Sequence, residues 1–153
     1  MASLHRIRAH SFTATSPPDQ GCNGQGTGNV RLASPGPGVL VFHESGSWTP
    51  DGQAPLQFSN VYRWTCREQV LAGSGRCIRL EHLRHGKERP VWLVDLQARS
   101  AGDWHCRAAY ECGDDRYMLA MQLLDDDSGL RMRWSISGPM KNTELDYLYS
   151  FRV

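Results

Sequence analysis

Apolar residues fall at every second position through the last quarter of the chain: Leu130, Met132, Trp134 and Ile136, then Leu145, Tyr147, Tyr149 and Phe151. Arg131, Arg133 and Ser135 stand between the first set, and Glu144, Asp146 and Ser150 between the second. A period of two turns one face of an extended chain toward a core and the other toward water. Gly138-Pro139-Met140-Lys141-Asn142 joins the two runs with turn chemistry. The stretch therefore predicts two antiparallel strands that close a β-sheet protein.

The same rhythm runs through the rest of the chain. Strands are predicted over 4–12, 30–33, 39–44, 56–66, 76–84, 91–98, 104–111 and 117–124, with turns at Ser45-Gly46, His85-Gly86-Lys87, Ala101-Gly102-Asp103 and Asp125-Asp126-Asp127-Ser128-Gly129. Residues 16–29 are dense in glycine and proline and predict a long loop. Only residues 66–72 suit a helical turn. A strand about every 10 to 13 residues without a long helical period points to an all-β sandwich or barrel and away from a doubly wound sheet. Over 117–124 both faces are apolar, Tyr117, Leu119, Met121 and Leu123 on one and Met118, Ala120 and Leu124 on the other. That fits a closed barrel with a lumen. The expected fold is a single antiparallel up-and-down β-barrel of eight to ten strands over residues 1–153, and a barrel of that size can hold one small ligand.

At 153 residues the chain can bury a core without staples. Its 17 basic and 16 acidic residues leave a net charge of +1, so no global field recruits nucleic acid or an anionic membrane. No apolar run reaches the roughly 20 residues of a membrane-spanning helix. Five cysteines without a Cys-x-x-Cys pair, and no secretory apolar stretch, predict reduced thiols in a cytoplasmic setting. The acid-free start, with Arg6, Arg8 and several serines, gives a mitochondrial presequence as the alternative.

Three places resemble a domain-of-unknown-function family of small calycin-like β-barrels. They are Tyr62-Arg63-Trp64, Cys112-Gly113-Asp114-Asp115-Arg116-Tyr117, and the run from Trp134 to Thr143 that contains Gly138-Pro139-Met140-Lys141. The stretch 86–96 is similar to that family's hairpin, and the resemblance spans about 26–152. Met140 replaces the family's Arg, Asn142-Thr143 its Asp-Tyr and Trp92 its His, which leaves Lys141 as the cation of that corner. The resemblance implies a calycin- or lipocalin-like fold and no particular activity.

No motif names a reaction. His82 and His85 lie three apart, on opposite faces of a strand, and His105-Cys106 is remote, so no metal site is predicted. Cys112 lacks a neighbouring histidine and is read as a packed thiol in an Asp turn. The run Asp125-Asp126-Asp127 lacks the spacing and closing Glu of a calcium loop. Gly24-Gln25-Gly26-Thr27-Gly28 has no following helix or Lys-Ser/Thr to make a phosphate loop. No cofactor is expected.

The aromatic residues point furthest. Tyr62, Trp64, Tyr117 and Trp134, with His82, are expected to line a lumen that takes a small, partly hydrophobic or aromatic ligand, and Arg79, Arg133 or Lys141 to meet an acidic head group. Noncovalent binding is the expected function. The alternative is an accessory subunit that docks a larger protein assembly through outward residues such as Met118 and Leu148, and the third is a cofactor-free enzyme in which a histidine and a tyrosine converge in one cavity.

Overall fold

The computed structural model describes residues 2–68 and 76–151. After a 3₁₀-helix at Ala2–Arg6 come β1 (Ala9–Thr15), β2 (Gly24–Gly36), β3 (Val39–Pro50), β4 (Leu56–Glu68), β5 (Arg76–His82) and β6 (Val91–Ser100). The second half supplies β7 (Asp103–Cys106), β8 (Tyr110–Cys112), β9 (Asp115–Leu123), β10 (Gly129–Gly138) and β11 (Lys141–Ser150). Every pairing is antiparallel. The order β10-β11-β1-β2-β3-β4-β5-β6-β7-β9 closes through a β9–β10 pairing, and β8 extends β9 as a hairpin arm. Ten strands thus form a closed up-and-down barrel, which leaves no open edge around the ring.

Alternation carries through the wall, and one end of the barrel is packed solid. Leu40 and Phe42 of β3, Trp64 of β4, Ile78 and Leu80 of β5, Val94 and Leu96 of β6, and Leu130 and Met132 of β10 form one buried cluster. The 3₁₀-helix seals this end with Leu4, joined by Ile7 just after it. Arg6 ties the seal to the β9–β10 turn through Asp127 at 2.5 Å and lies 4.6 Å over the Phe151 ring. Residues 4–6, expected in a strand, belong instead to this plug, because Leu4 and Ile7 reach one face when the chain coils at three residues per turn.

Three other expectations meet corrections in the first half. The loop predicted over 16–29 ends at Asn23, and Gly24 to Asn29 are strand. Gly26 and Gly28 face inward opposite Phe12 and His10 of β1, and a Cβ on either glycine would overlap those rings. The glycines make room for aromatic neighbours, as glycine in a strand often does. Ser45-Gly46 is not a turn but mid-β3, where Gly46 pairs with Gly28 across a close backbone approach. In the predicted helical turn, residues 66–68 extend β4 and residues 69–72 lie outside the described residues. Among the described residues no helix is long and apolar enough to cross a membrane.

Candidate functional site

The other end of the barrel is not filled. A cavity of about 220 Å³ runs from buried Trp64, Leu80, Met132 and Tyr149 out to exposed Arg84 and Cys112. Each wall strand contributes alternate residues: Tyr62 and Trp64 from β4, His82 from β5, Trp134 and Ile136 from β10, and Leu145 and Tyr147 from β11. Tyr117 of β9 and Tyr110 of β8 stand near the mouth, their ring centroids 5.7 Å apart. Loop 16–23 is anchored beside this mouth by the buried Ser16 Oγ to Thr143 Oγ1 contact of 2.9 Å and by Asn142 N–H donating to the Gln20 carbonyl at 3.0 Å.

Behind the aromatic wall lies a polar chain. The Tyr149 hydroxyl donates to Glu44 Oε1 at 2.8 Å, and Asn60 also bonds the Glu44 side chain. The other end of Asn60 faces His82, with Oδ1 3.4 Å from Nε2. His82 Nδ1 accepts the backbone N–H of Arg84 at 2.9 Å, which assigns the ring proton to Nε2 and makes His82 the donor to Asn60. Burial lowers the His82 pKa, and the positive charges of Arg84 and His85 lower it further. Its ring meets Tyr62 edge-on at 4.8 Å.

Glu44 and His10 are each only 3% exposed. Burial raises the Glu44 carboxyl to about 7, although its bonds from Tyr149 and Asn60 oppose the rise, and burial alone lowers His10 to about 4. They approach at 3.9 Å, too far for a hydrogen bond, and neither His10 ring nitrogen has a partner among the described residues. His10 is packed among rings, with Tyr149 at 5.4 Å and Tyr147 and Phe58 each at 5.8 Å. Desolvation also pushes the Tyr62, Tyr147 and Tyr149 phenols above their ordinary range, so all three are neutral donors at physiological pH.

Of the residues picked out in the sequence, Tyr62, Trp64, His82, Tyr117 and Trp134 line this cavity. Lys141 stands beside it, with Nζ 3.3 Å from the Tyr117 hydroxyl and 5.4 Å from the ring centroid. Arg79 and Arg133 do not line it. Arg79, between inward Ile78 and Leu80, forms a two-pronged pair with Asp95, each bond 2.8 Å. Arg133, between Met132 and Trp134, is exposed and borders a shallow outer groove with Arg99 and Glu144. The strand period that places Trp134 inside places Arg133 outside.

Glu44, Asn60, His10 and Arg84 were not singled out in the sequence. Glu44 and His10 do stand in the inward phase of their strands, with Leu40 and Phe42 and with Phe12 and Ala14, which is the signal that could have found them. Met118 and Leu148, 42% and 46% exposed, do not join into one patch. Met118 is opposite Ser135 and Leu148 opposite Arg131, so they are about 13 Å apart along the wall, with Arg133 and Asp146 in the rows between. The acidic run is a turn in which Asp126 accepts the Ser128 N–H at 3.0 Å. Among the described residues no three His, Cys, Asp or Glu side chains converge as metal ligands would.

Residues 12–151 match the model of a family described as a family of unknown function, DUF6314. The chain belongs to that family. No curated protein and no solved structure matches it at significance. The DUF6314 match takes in every wall strand of the cavity and all of the polar chain from His82 to Tyr149; His10 and the 3₁₀-helix plug precede it.

Proposed function

We propose that this DUF6314 protein binds a small, partly hydrophobic molecule noncovalently in the open half of a calycin-like barrel. The observation that carries the reading is the cavity itself: one end of the lumen is plugged, while the other keeps about 220 Å³ between aromatic walls with few polar tips. A dry cavity of about 150 Å³ admits benzene, so this one suits a compact ligand of about ten non-hydrogen atoms. Buried Tyr149 and half-buried Asn60, both bonded to Glu44, hold the wall in place before any ligand arrives. A reducing compartment suits the five cysteines, none bonded to another.

The cofactor-free enzyme reading has one observation in its favour, the contact of Tyr62 with His82 in a single cavity. Yet Nδ1 of His82 already accepts a backbone N–H and Nε2–H faces Asn60, so no lone pair is left to take a proton from a ligand. Binding is therefore preferred over catalysis.

Native mass spectrometry of protein purified from its source without denaturation tests the reading. A retained adduct of small-molecule mass, with altered fluorescence from Trp64 and Trp134 on its removal, is the expected result. Co-purifying protein chains with no small adduct would favour the accessory-subunit alternative.

A further inference from the structure

Formal charge is distributed unevenly around the cavity. Among the described residues no aspartate or glutamate lines it, and Arg84 is the one residue of that lining with a permanent charge. Arg84 has no carboxylate within ion-pair distance among the described residues, whereas Arg6, Arg63, Arg79, Arg116 and Arg131 each have one. Its charge is felt in the wall, where it helps to lower the His82 pKa. A second cation, Lys141, lies over Tyr117, whose ring lines the same cavity, and its nearest polar contact is a phenol rather than an acid. Of the two buried carboxyls among the described residues, Glu81 is paired with Arg63, and Glu44 is withdrawn behind Tyr149 and Asn60 and carries its own bonds. Asp115 lies against Gly138, the register partner of Lys141, yet among the described residues no carboxylate comes within ion-pair distance of Lys141 or Arg84. Two cations without an acid partner at the edge of an aromatic pocket suit an anion joined to a flat apolar body.

Building on the lumen-binding reading, we propose that the ligand is an aromatic acid whose ring enters between Trp64, Trp134 and Tyr147 and whose anionic group stays at the mouth against Arg84, within the field of Lys141. Arg84 supplies a planar fork of N–H donors that matches a carboxylate, and Lys141 supplies a point charge. The ring replaces water against the apolar wall, so body and head group are recognised by different parts of one pocket.

Three probes test this: para-toluate, its isosteric amide para-toluamide, and the similarly sized para-methylbenzylamine. Binding is measured by calorimetry, and lumen occupancy by the indole N–H resonances of Trp64 and Trp134. Para-toluate is expected to bind about tenfold more tightly than the amide, as a charge-assisted hydrogen bond allows. Arg84→Gln should bring the two to parity, Lys141→Gln should narrow the gap, and added salt should weaken the acid alone. Arg84 is exposed, so its replacement leaves the fold intact, which the unchanged indole spectrum of the free variant verifies. Equal affinity for acid and amide, with the indole shifts present, would overturn the acid assignment and keep the lumen as a binding site. Preference for the amine would overturn it in the same way and point to Glu44. Indole resonances unmoved by all three probes would overturn the lumen reading as well.

Discussion

Glu44→Gln should make the protein lose stability, relative to the wild type, as the pH falls through the mildly acidic range. The native state holds Glu44 at about 7 and His10 at about 4, against ordinary values of 4.5 and 6.5. Between about pH 4.5 and 6.5 the folded pair carries one proton, on Glu44, and the unfolded pair also carries one, on histidine. The slope of stability with pH follows the difference in bound protons, so this pair contributes none in that window. At about 1.4 kcal/mol per pH unit, each displaced pKa represents about 3 kcal/mol.

Glu44→Gln leaves His10 alone: the unfolded chain binds a proton below 6.5 that the folded chain refuses until about 4, so stability falls by about 3 kcal/mol as the pH drops across that interval. His10→Gln leaves Glu44 alone and reverses the sign, because the folded chain keeps a proton that the unfolded chain gives up, and stability falls by a similar amount as pH rises from 4.5 to about 7. Neither shift is caused by the partner residue, so each survives the other's removal. Urea unfolding across this range, read as variant minus wild type so that other titrating groups cancel, gives the two slopes. Slopes of the same sign in the two variants, or no slope in either, would refute the reasoning.

Gly28→Ala places a methyl group against the His10 ring, and Gly26→Ala one against Phe12; each should cost about 1 to 3 kcal/mol, seen as a lower thermal midpoint. Phe42→Ala empties the packed end and should cost about 3 to 5 kcal/mol in urea unfolding. Arg79→Gln breaks a two-pronged, largely buried pair on the outer wall, so it should cost about 1 to 2 kcal/mol and leave the probe affinities unchanged in calorimetry.

The strands were legible wherever side chains could display the period. Leu130 to Phe151 announced both strands, the turn between them and the inward face, and the same alternation puts Arg133 outside, against its expected place at a ligand's head group. Gly24 to Gly28 were illegible as strand because a residue without a side chain shows no phase. Their role appears only with Phe12 and His10 opposite, a pairing set by the β1–β2 register. Arg84 was missed because it lies beyond the end of β5, where strand phase no longer says which way a residue points. Glu44 was missed because a lone acid among apolar inward positions reads as an interruption until a phenol and an amide are found to bond it.

Those bonds also explain how a barrel can stay hollow at one end. Unanchored aromatic side chains would swing inward and fill a void of this size, since lost packing contacts are costly. Here Tyr149 is fixed by its bond to Glu44, and Tyr147 is stacked between Phe12 at 4.7 Å and Tyr149 at 5.9 Å. His82 is fixed from both ring nitrogens, and through Asn60 its position depends on Glu44. Burying an acid whose carboxyl is pushed up to about 7 by desolvation is a poor way to gain stability, and an apolar residue of similar volume would serve a packed core better. Its place is understandable if the network's task is to hold three aromatic walls apart. The carboxyl that weakens the core is then the element that keeps the cavity.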